Sequence, residues 1–211
     1  MELERLRHDY EQSLVEYRMA RRKVLATIEN LQELLETRYD RKIFDSVKSR
    51  LKEFDSAIEK CYRKNYEHTP ENYPAEFNIK TIREHMKDVA GIRIITVYRS
   101  DIYLIYEAIK ATDLVITHVD DYIKTPKDSG YRSLHLLVMV PIPTNDGTKL
   151  IPVEIQIRNK FMDVWATLDH DLRYKNPNPD PEAVALLQGM AVTMDGLDDE
   201  SERIRAKKPA T

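Results

Sequence analysis

With 211 residues the chain is long enough to bury a real core as one domain with extensions, and its 33% of charged residues and 5 glycines exclude a collagen-like or disordered composition. A net charge of −3 gives no global case for nucleic acid, and the single cysteine, Cys61, excludes an intramolecular disulfide and a cysteine-based zinc knuckle. No apolar run of signal-peptide type opens the chain and no stretch approaches a membrane span, so a reducing, cytoplasmic setting without membrane contact is expected.

Residues 2–37 lack Gly and Pro, and Leu3, Leu6, Tyr10, Leu14 and Tyr17, then Leu25, Ile28, Leu31 and Leu35, recur at helical spacing, which predicts an amphipathic helix broken once. A second helix is expected over 45–66, with Lys48, Arg50, Lys52, Lys60, Arg63 and Lys64 around a stripe of Val47, Leu51, Phe54 and Ile58. Its cations suit either a solvated face or a phosphate. The stretch 68–78 reads as a loop and 79–85 as a short helix, and a strand follows over 91–98 with Asp88 just before it. Ser100 or Asp101 is expected to cap a helix over 102–111, and 115–123 reads as a further strand.

The stretch 151–158 (IPVEIQIR) alternates strictly. Ile151, Val153, Ile155 and Ile157 face one way, and Pro152, Glu154, Gln156 and Arg158 the other. A turn-rich segment around Asn145 and Gly147 joins it to 133–141, so an antiparallel hairpin is expected, with Ser133 and His135 on one face. If the strands share a sheet, Asp88, Arg93, His135, Glu154 and Gln156 could converge on one rim. A helix over 159–174 buries Phe161, Val164, Trp165 and Leu168. Asp180 and Pro181 then open a last helix over 182–205, whose Leu186, Leu187, Met190, Met194 and Leu197 need covering by the fold or by another subunit, with Gly189 and Gly196 as candidate kinks.

Five glycines at 91, 130, 147, 189 and 196 cannot build a Walker-type or dinucleotide-type phosphate loop. A nucleotide enzyme of this composition must hold phosphate with Arg and Lys. Asp88 and Glu154 at strand ends suit Mg²⁺, which takes one or two carboxylates and completes its shell with water and phosphate. Arg50, Arg93 and Tyr131 can stack on bases. His170 and Asp171 lack the companions of a metal phosphohydrolase, and Ser129 and Ser133 lack a nucleophile elbow.

Taken together, KDVAGIR (87–93), DYIKTPKDSGYRSLH (121–135), VEIQIR (153–158) and MDVWATLDHDLRYK (162–175) resemble the synthetase domain of the RelA/SpoT alarmone enzymes, and most of all the small, stand-alone synthetases of the RelQ and RelP kind. The resemblance implies an α+β fold, a mixed sheet of about five strands flanked by helices in a nucleotidyltransferase-like domain over 45–176, with helical extensions over 1–44 and 177–211. It implies transfer of the β,γ-pyrophosphate of ATP to the 3′-hydroxyl of GDP or GTP, releasing AMP, as in the stringent response. Carried onto this chain, Asp88 and Glu154 would hold Mg²⁺, with Glu154 also helping to deprotonate the 3′-hydroxyl. Arg50 and Arg93 would sandwich the adenine, and Lys52, Lys60 and Arg63 would take the ATP phosphates. Tyr131 would stack on guanine, Lys127, Arg132 and His135 would lie along the acceptor, and Gln156 and Asp163 would line the site. A homotetramer is implied, with single-stranded RNA or pppGpp as a possible regulator. Asp169 departs from the family, which usually carries Glu there, and Ala57-Ile58 replaces a more usual Ser-Ile.

Two rival readings share this fold. One is a relative that pyrophosphorylates a tRNA end; the other is an inactive oligomer that binds nucleotide or single-stranded RNA.

Overall fold

A computed structural model describes residues 2–68, 79–145, 147–173, 176 and 178–207. Helix α1 (Glu2–Tyr39) runs without the expected break, because buried Ala20 and Val24 carry the apolar stripe across the polar middle from Tyr17 to Ile28. Its end is tied to the next element by Glu36, whose Oε1 accepts from the backbone N–H of Ile43 and of Phe44, each at 2.9 Å.

The helix expected over 45–66 is two elements. Phe44–Leu51 is strand β1, and helix α2 begins at Phe54 (Phe54–His68). The spacing of Val47, Leu51, Phe54 and Ile58 looks helical, but up to Leu51 the backbone hydrogen-bonds to a neighbouring strand and alternation governs the faces. The loop expected over 68–78 lies, beyond His68, outside the described residues. There follow α3 (Ile79–His85), β2 (Ala90–Thr96), α4 (Arg99–Lys110), β3 (Val115–Asp121), β4 (Leu134–Thr144), β5 (Gly147–Asn159), α5 (Lys160–Arg173) and α6 (Pro181–Ala206).

The strands form one five-stranded sheet in the order β1-β2-β5-β4-β3, with β2 and β5 parallel and every other pair antiparallel. The β4–β5 hairpin is longer than its alternation suggested. Pairing continues through Pro141 and Pro143 to Thr144 opposite Gly147, whose φ of 108° is one that side chains other than glycine rarely adopt. One face of the sheet, with Ile92, Ile94, Leu136, Val138, Val153, Ile155 and Ile157, is buried in a single core with α1 and α4. Helix α1 is therefore part of that core. The opposite face carries the polar residues.

Neither Ser100 nor Asp101 caps α4. Tyr98 stands at the cap position without a side-chain bond, and the Ser100 N–H is satisfied by Glu202 of α6. Asp101 is instead buried, taking a two-pronged Arg41 at 2.6 and 2.9 Å and Arg205 at 3.0 Å. Helix α6 begins as expected, with Asp180 accepting from Glu182 N–H at 2.8 Å and Pro181 in the first turn, and it runs unbroken past Gly189 and Gly196. Its inner face makes a small second core of Trp165, Leu187 and Ala191 beside Tyr131 and Met194. Among the described residues no helix is long and apolar enough to cross a membrane.

Candidate active site

Strand register builds the site. Lys48 pairs with Arg93, Arg93 with Gln156, and Gln156 with His135, so four polar side chains lie in one row across the sheet. A parallel row two residues along each strand contains Arg50, Gly91 and Glu154. Gly91 has no neighbour within 4 Å of where a Cβ would stand, so the sheet is open there. The result is a cleft of about 180 Å³ lined by Arg50, Asp88, Arg93, Glu154 and Gln156 among others.

On one side of the cleft the interactions are ionic. Asp88 Oδ2 receives Lys60 Nζ at 2.6 Å and Lys52 Nζ at 3.0 Å, while Oδ1 is buried without a hydrogen-bond partner. Burial would raise the Asp88 carboxyl, but the Lys60 and then the Lys52 ammonium outweigh it and hold the group below its ordinary range. Burial pulls the Lys52 ammonium down, a loss that the Asp88 charge only partly offsets. Lys52 is fixed at its backbone, which donates to Val89 and accepts from the Tyr10 hydroxyl of α1, both at 2.8 Å. Arg50 stands exposed at the rim. The backbone of Arg63 lies on α2, and its side chain is outside the described residues.

On the other side the interactions are aromatic and hydrogen-bonded. The Tyr131 hydroxyl accepts from Arg158 Nη2 at 2.6 Å and lies 2.7 Å from His135 Nε2. The guanidinium can only donate, so the hydroxyl oxygen accepts there and its own hydrogen can turn to Nε2, while the other ring nitrogen, Nδ1, faces Glu154 Oε1 at 3.5 Å. Gln156 donates to Glu154 Oε2 at 2.7 Å. Burial would raise Glu154, yet the His135 and Gln156 contacts leave it lowered, so it is a carboxylate at neutral pH. Lys127 Nζ lies 4.5 Å from the Tyr122 ring centre and 5.4 Å from that of Tyr131.

Helix α6 holds the loop that carries Tyr131. Gly130 adopts φ 95°, and a Cβ there would meet Ala191 Cβ at 2.5 Å; Gln188 donates to the Asp128 carbonyl at 3.3 Å, and the Trp165 indole donates to the Leu187 carbonyl at 2.8 Å. Arg132 is drawn into this contact, pairing with Asp195 at 3.0 Å, so it braces the loop against α6. Asp163, at the start of α5, lies 3.6 Å from Arg93 and 3.3 Å from Arg158. Asp169 pairs with Arg173 on the same helix at 2.7 Å.

The cleft thus presents Arg50, Asp88, Arg93, Glu154 and Gln156, with Lys52, Lys60, Asp163 and His135 in contact with them, Tyr131 bonded to His135 and Lys127 beside the Tyr131 ring. Sequence reasoning passed over Arg158 as a site residue, although its strand parity with Glu154 and Gln156 was the signal for it. Among the described residues there is no group of three or more His, Cys, Asp or Glu that could hold a metal. Two carboxylates suffice for Mg²⁺, whose remaining ligands come from water and phosphate, and the unpartnered Oδ1 of Asp88 is a hard oxygen of the required kind.

A region found in RelA / SpoT proteins matches residues 49–179. GTP pyrophosphokinase YjbM of Bacillus subtilis is 36% identical over 200 residues, which cover 94% of this chain and 89% of that one. GTP pyrophosphokinase YwaC of the same bacterium is 41% identical over 139 residues, 65% of this chain and 62% of the relative, just under two thirds of its length. The crystal structure of small alarmone synthetase 1 from Bacillus subtilis bound to its product pppGpp superposes with a TM-score of 0.82 at 33% identity, covering 95% of this chain and 98% of that one.

Proposed function

This chain belongs to the RelA/SpoT family, and from that premise we propose that its cleft is a (p)ppGpp synthetase site, which moves the β,γ-pyrophosphate of ATP onto the 3′-hydroxyl of GDP or GTP and releases AMP. The observation that carries the reading is the juxtaposition of an ionic half, Asp88 with Lys52 and Lys60, and an aromatic half, Tyr131 with His135, on either side of Glu154. Arg50 and Arg93 bind the adenine between their guanidinium planes, and Lys52, Lys60 and Arg63 neutralise the triphosphate. Tyr131 stacks on the guanine, and Lys127 and His135 lie along the acceptor. Asp88 and Glu154 hold Mg²⁺, which supplies charge neutralisation for the transferring phosphates when bound.

The 3′-oxygen attacks the β-phosphorus, its proton passes to Glu154, and the bond from that phosphorus to the oxygen bridging it to the α-phosphate breaks, so AMP leaves with that oxygen. The protein forms no covalent bond to substrate, and positioning and charge stabilisation account for the rate. His135, whose Nδ1 lies 3.5 Å from Glu154 Oε1, steadies the carboxylate before it takes the proton. The outer side of α6 exposes Leu186, Met190, Leu197 and Ile204, an apolar surface for a second copy of the chain in a homotetramer. Cytoplasmic action and response to single-stranded RNA or pppGpp belong to the same reading.

Incubation with Mg²⁺, ATP labelled at the γ-phosphate and GDP or GTP, followed by separation of the nucleotides, tests the proposal. The expected result is a labelled guanosine tetra- or pentaphosphate in step with AMP. A folded protein that labels a tRNA 3′ end and no guanosine nucleotide would overturn it.

A further inference from the structure

Arg158 is an arginine with only 5% of its surface exposed, and its guanidinium is the hub of the polar face. Nη2 donates to the Tyr131 hydroxyl at 2.6 Å and to Gln156 Oε1 at 3.2 Å, Nη1 donates to Asp163 Oδ1 at 3.3 Å, and Nε donates to Ser133 Oγ at 3.4 Å. Each of the first three contacts leads to a different part of the cleft. Tyr131 is the aromatic platform of the acceptor half. The amide of Gln156 continues to Glu154 Oε2 at 2.7 Å. Asp163 continues to Arg93 at 3.6 Å, on the opposite side of the row. Burial, and then the Arg158 charge, lower the Arg93 guanidinium, so the two cations repel and share Asp163 as their common counter-ion.

We propose that Arg158 is a positioning residue that joins the two nucleotide subsites and the base, so that a nucleotide bound on either side tightens binding on the other. This rests on the reading of the cleft as the ATP and GDP or GTP site. The planar fork of an arginine carries five donors, enough for these three arms and Ser133 at once, whereas an ammonium has three and no fixed fork. A ligand that stacks on Tyr131 fixes the phenol, and through it the guanidinium and Asp163. Arg93 is then already set when adenine arrives, and the ordering cost is met once for both ligands. By reciprocity the same factor must appear whichever nucleotide is added first.

The test is calorimetric titration of the full chain with Mg²⁺ and α,β-methylene ATP, which cannot release its terminal pyrophosphate, in the absence and presence of saturating GDP, and then in the reverse order. The wild type is expected to show mutual tightening of about fivefold or more. In Arg158→Lys and in Asp163→Ala that factor falls to near one, whatever the change in affinity for each nucleotide alone. A structural role would lower the melting temperature and both single-ligand affinities without changing the factor. Should Arg158→Lys not fold, Asp163→Ala carries the test, since it removes one arm and leaves the guanidinium in place. Both nucleotides binding the wild type independently, or an unchanged factor in a folded variant, overturns the coupling alone. Failure of the wild type to bind either nucleotide overturns the coupling and the reading of the cleft together.

Discussion

The two halves of the cleft are built on different principles. Around Asp88 the contacts are long, flexible cations on one carboxylate oxygen, with the other oxygen unpartnered. Around Tyr131 they are short, directional hydrogen bonds among half-buried rings and a buried guanidinium. On the proposed reading the first half exchanges partners, its lysines leaving Asp88 for phosphate and the carboxylate taking the metal. The second half need exchange none of its hydrogen bonds when a ligand stacks on Tyr131; it has only to be held in place. Electrostatic recognition of a triphosphate tolerates adjustable arms, whereas stacking and delivery of a hydroxyl oxygen require fixed ones.

Removing the carboxylates that stand between the halves should have the largest effect. Asp88→Asn and Glu154→Gln are each expected to lower kcat by about 10³-fold or more in a protein whose circular dichroism still shows the wild-type fold at the assay temperature; near-normal turnover in either would remove that residue from the chemistry. Breaking one half at a time should separate the constants. Tyr131→Ala is expected to raise KM for GDP or GTP by about 10- to 100-fold and KM for ATP by no more than the coupling factor of about fivefold, and Arg50→Ala to do the reverse. Parallel shifts in both constants would show that the halves do not divide as described.

The rigid half also makes a stability prediction. Gly130→Ala puts a Cβ 2.5 Å from that of Ala191 at a φ of 95°. A cost of about 1–3 kcal/mol is expected, a fall of about 2–10 °C in melting temperature, and a rise in acceptor KM alone. An unchanged melt would mean that α6 yields there. The smallest effect tests the adjustable half. Asp88 is depressed in the folded chain, so the stability it contributes is complete above the unfolded carboxyl value of about 4 and is lost as pH falls through its lower folded value. Lys60→Met removes the leading ammonium, and the folded value moves back toward the unfolded one. Denaturant melts at about pH 6 and about pH 3 should show a smaller acid loss for the variant than for the wild type. Equal losses would show that Lys60 does not govern Asp88.

The contrast also explains what could be read from the chain alone. Alternation in β5 and β4 located Glu154, Gln156 and His135 on one face, because a strand with one buried side advertises its register. The basic stretch 45–51 was read as helix because its apolar residues meet the next helix at spacings that fit either period; only the pairing with Gly91 and Arg93 distinguishes them. Arg132 and Arg158 look alike in sequence, each a cation beside an apolar strand. What separates them is tertiary: Asp195 on α6 takes the first, while Ser133, Asp163 and Tyr131 enclose the second. The break expected in α1 failed for a simpler reason, since Ala20 is small enough to be overlooked as part of a stripe.

The position of β5, last of the strands in the chain and central in the sheet, sets an order on synthesis. A chain leaving the ribosome N-terminus first presents Asp88, Arg93 and Tyr131 while the strand bearing Glu154 is still unmade, and the parallel β2–β5 pair closes across some sixty residues of intervening chain. Until Gly147–Asn159 inserts, β2 and β4 each show an unpaired edge, and the carboxylate that stands between the two halves is absent. A nascent fragment therefore has the cations and the aromatic ring without Glu154, and the cleft is complete only when the middle of the sheet is filled.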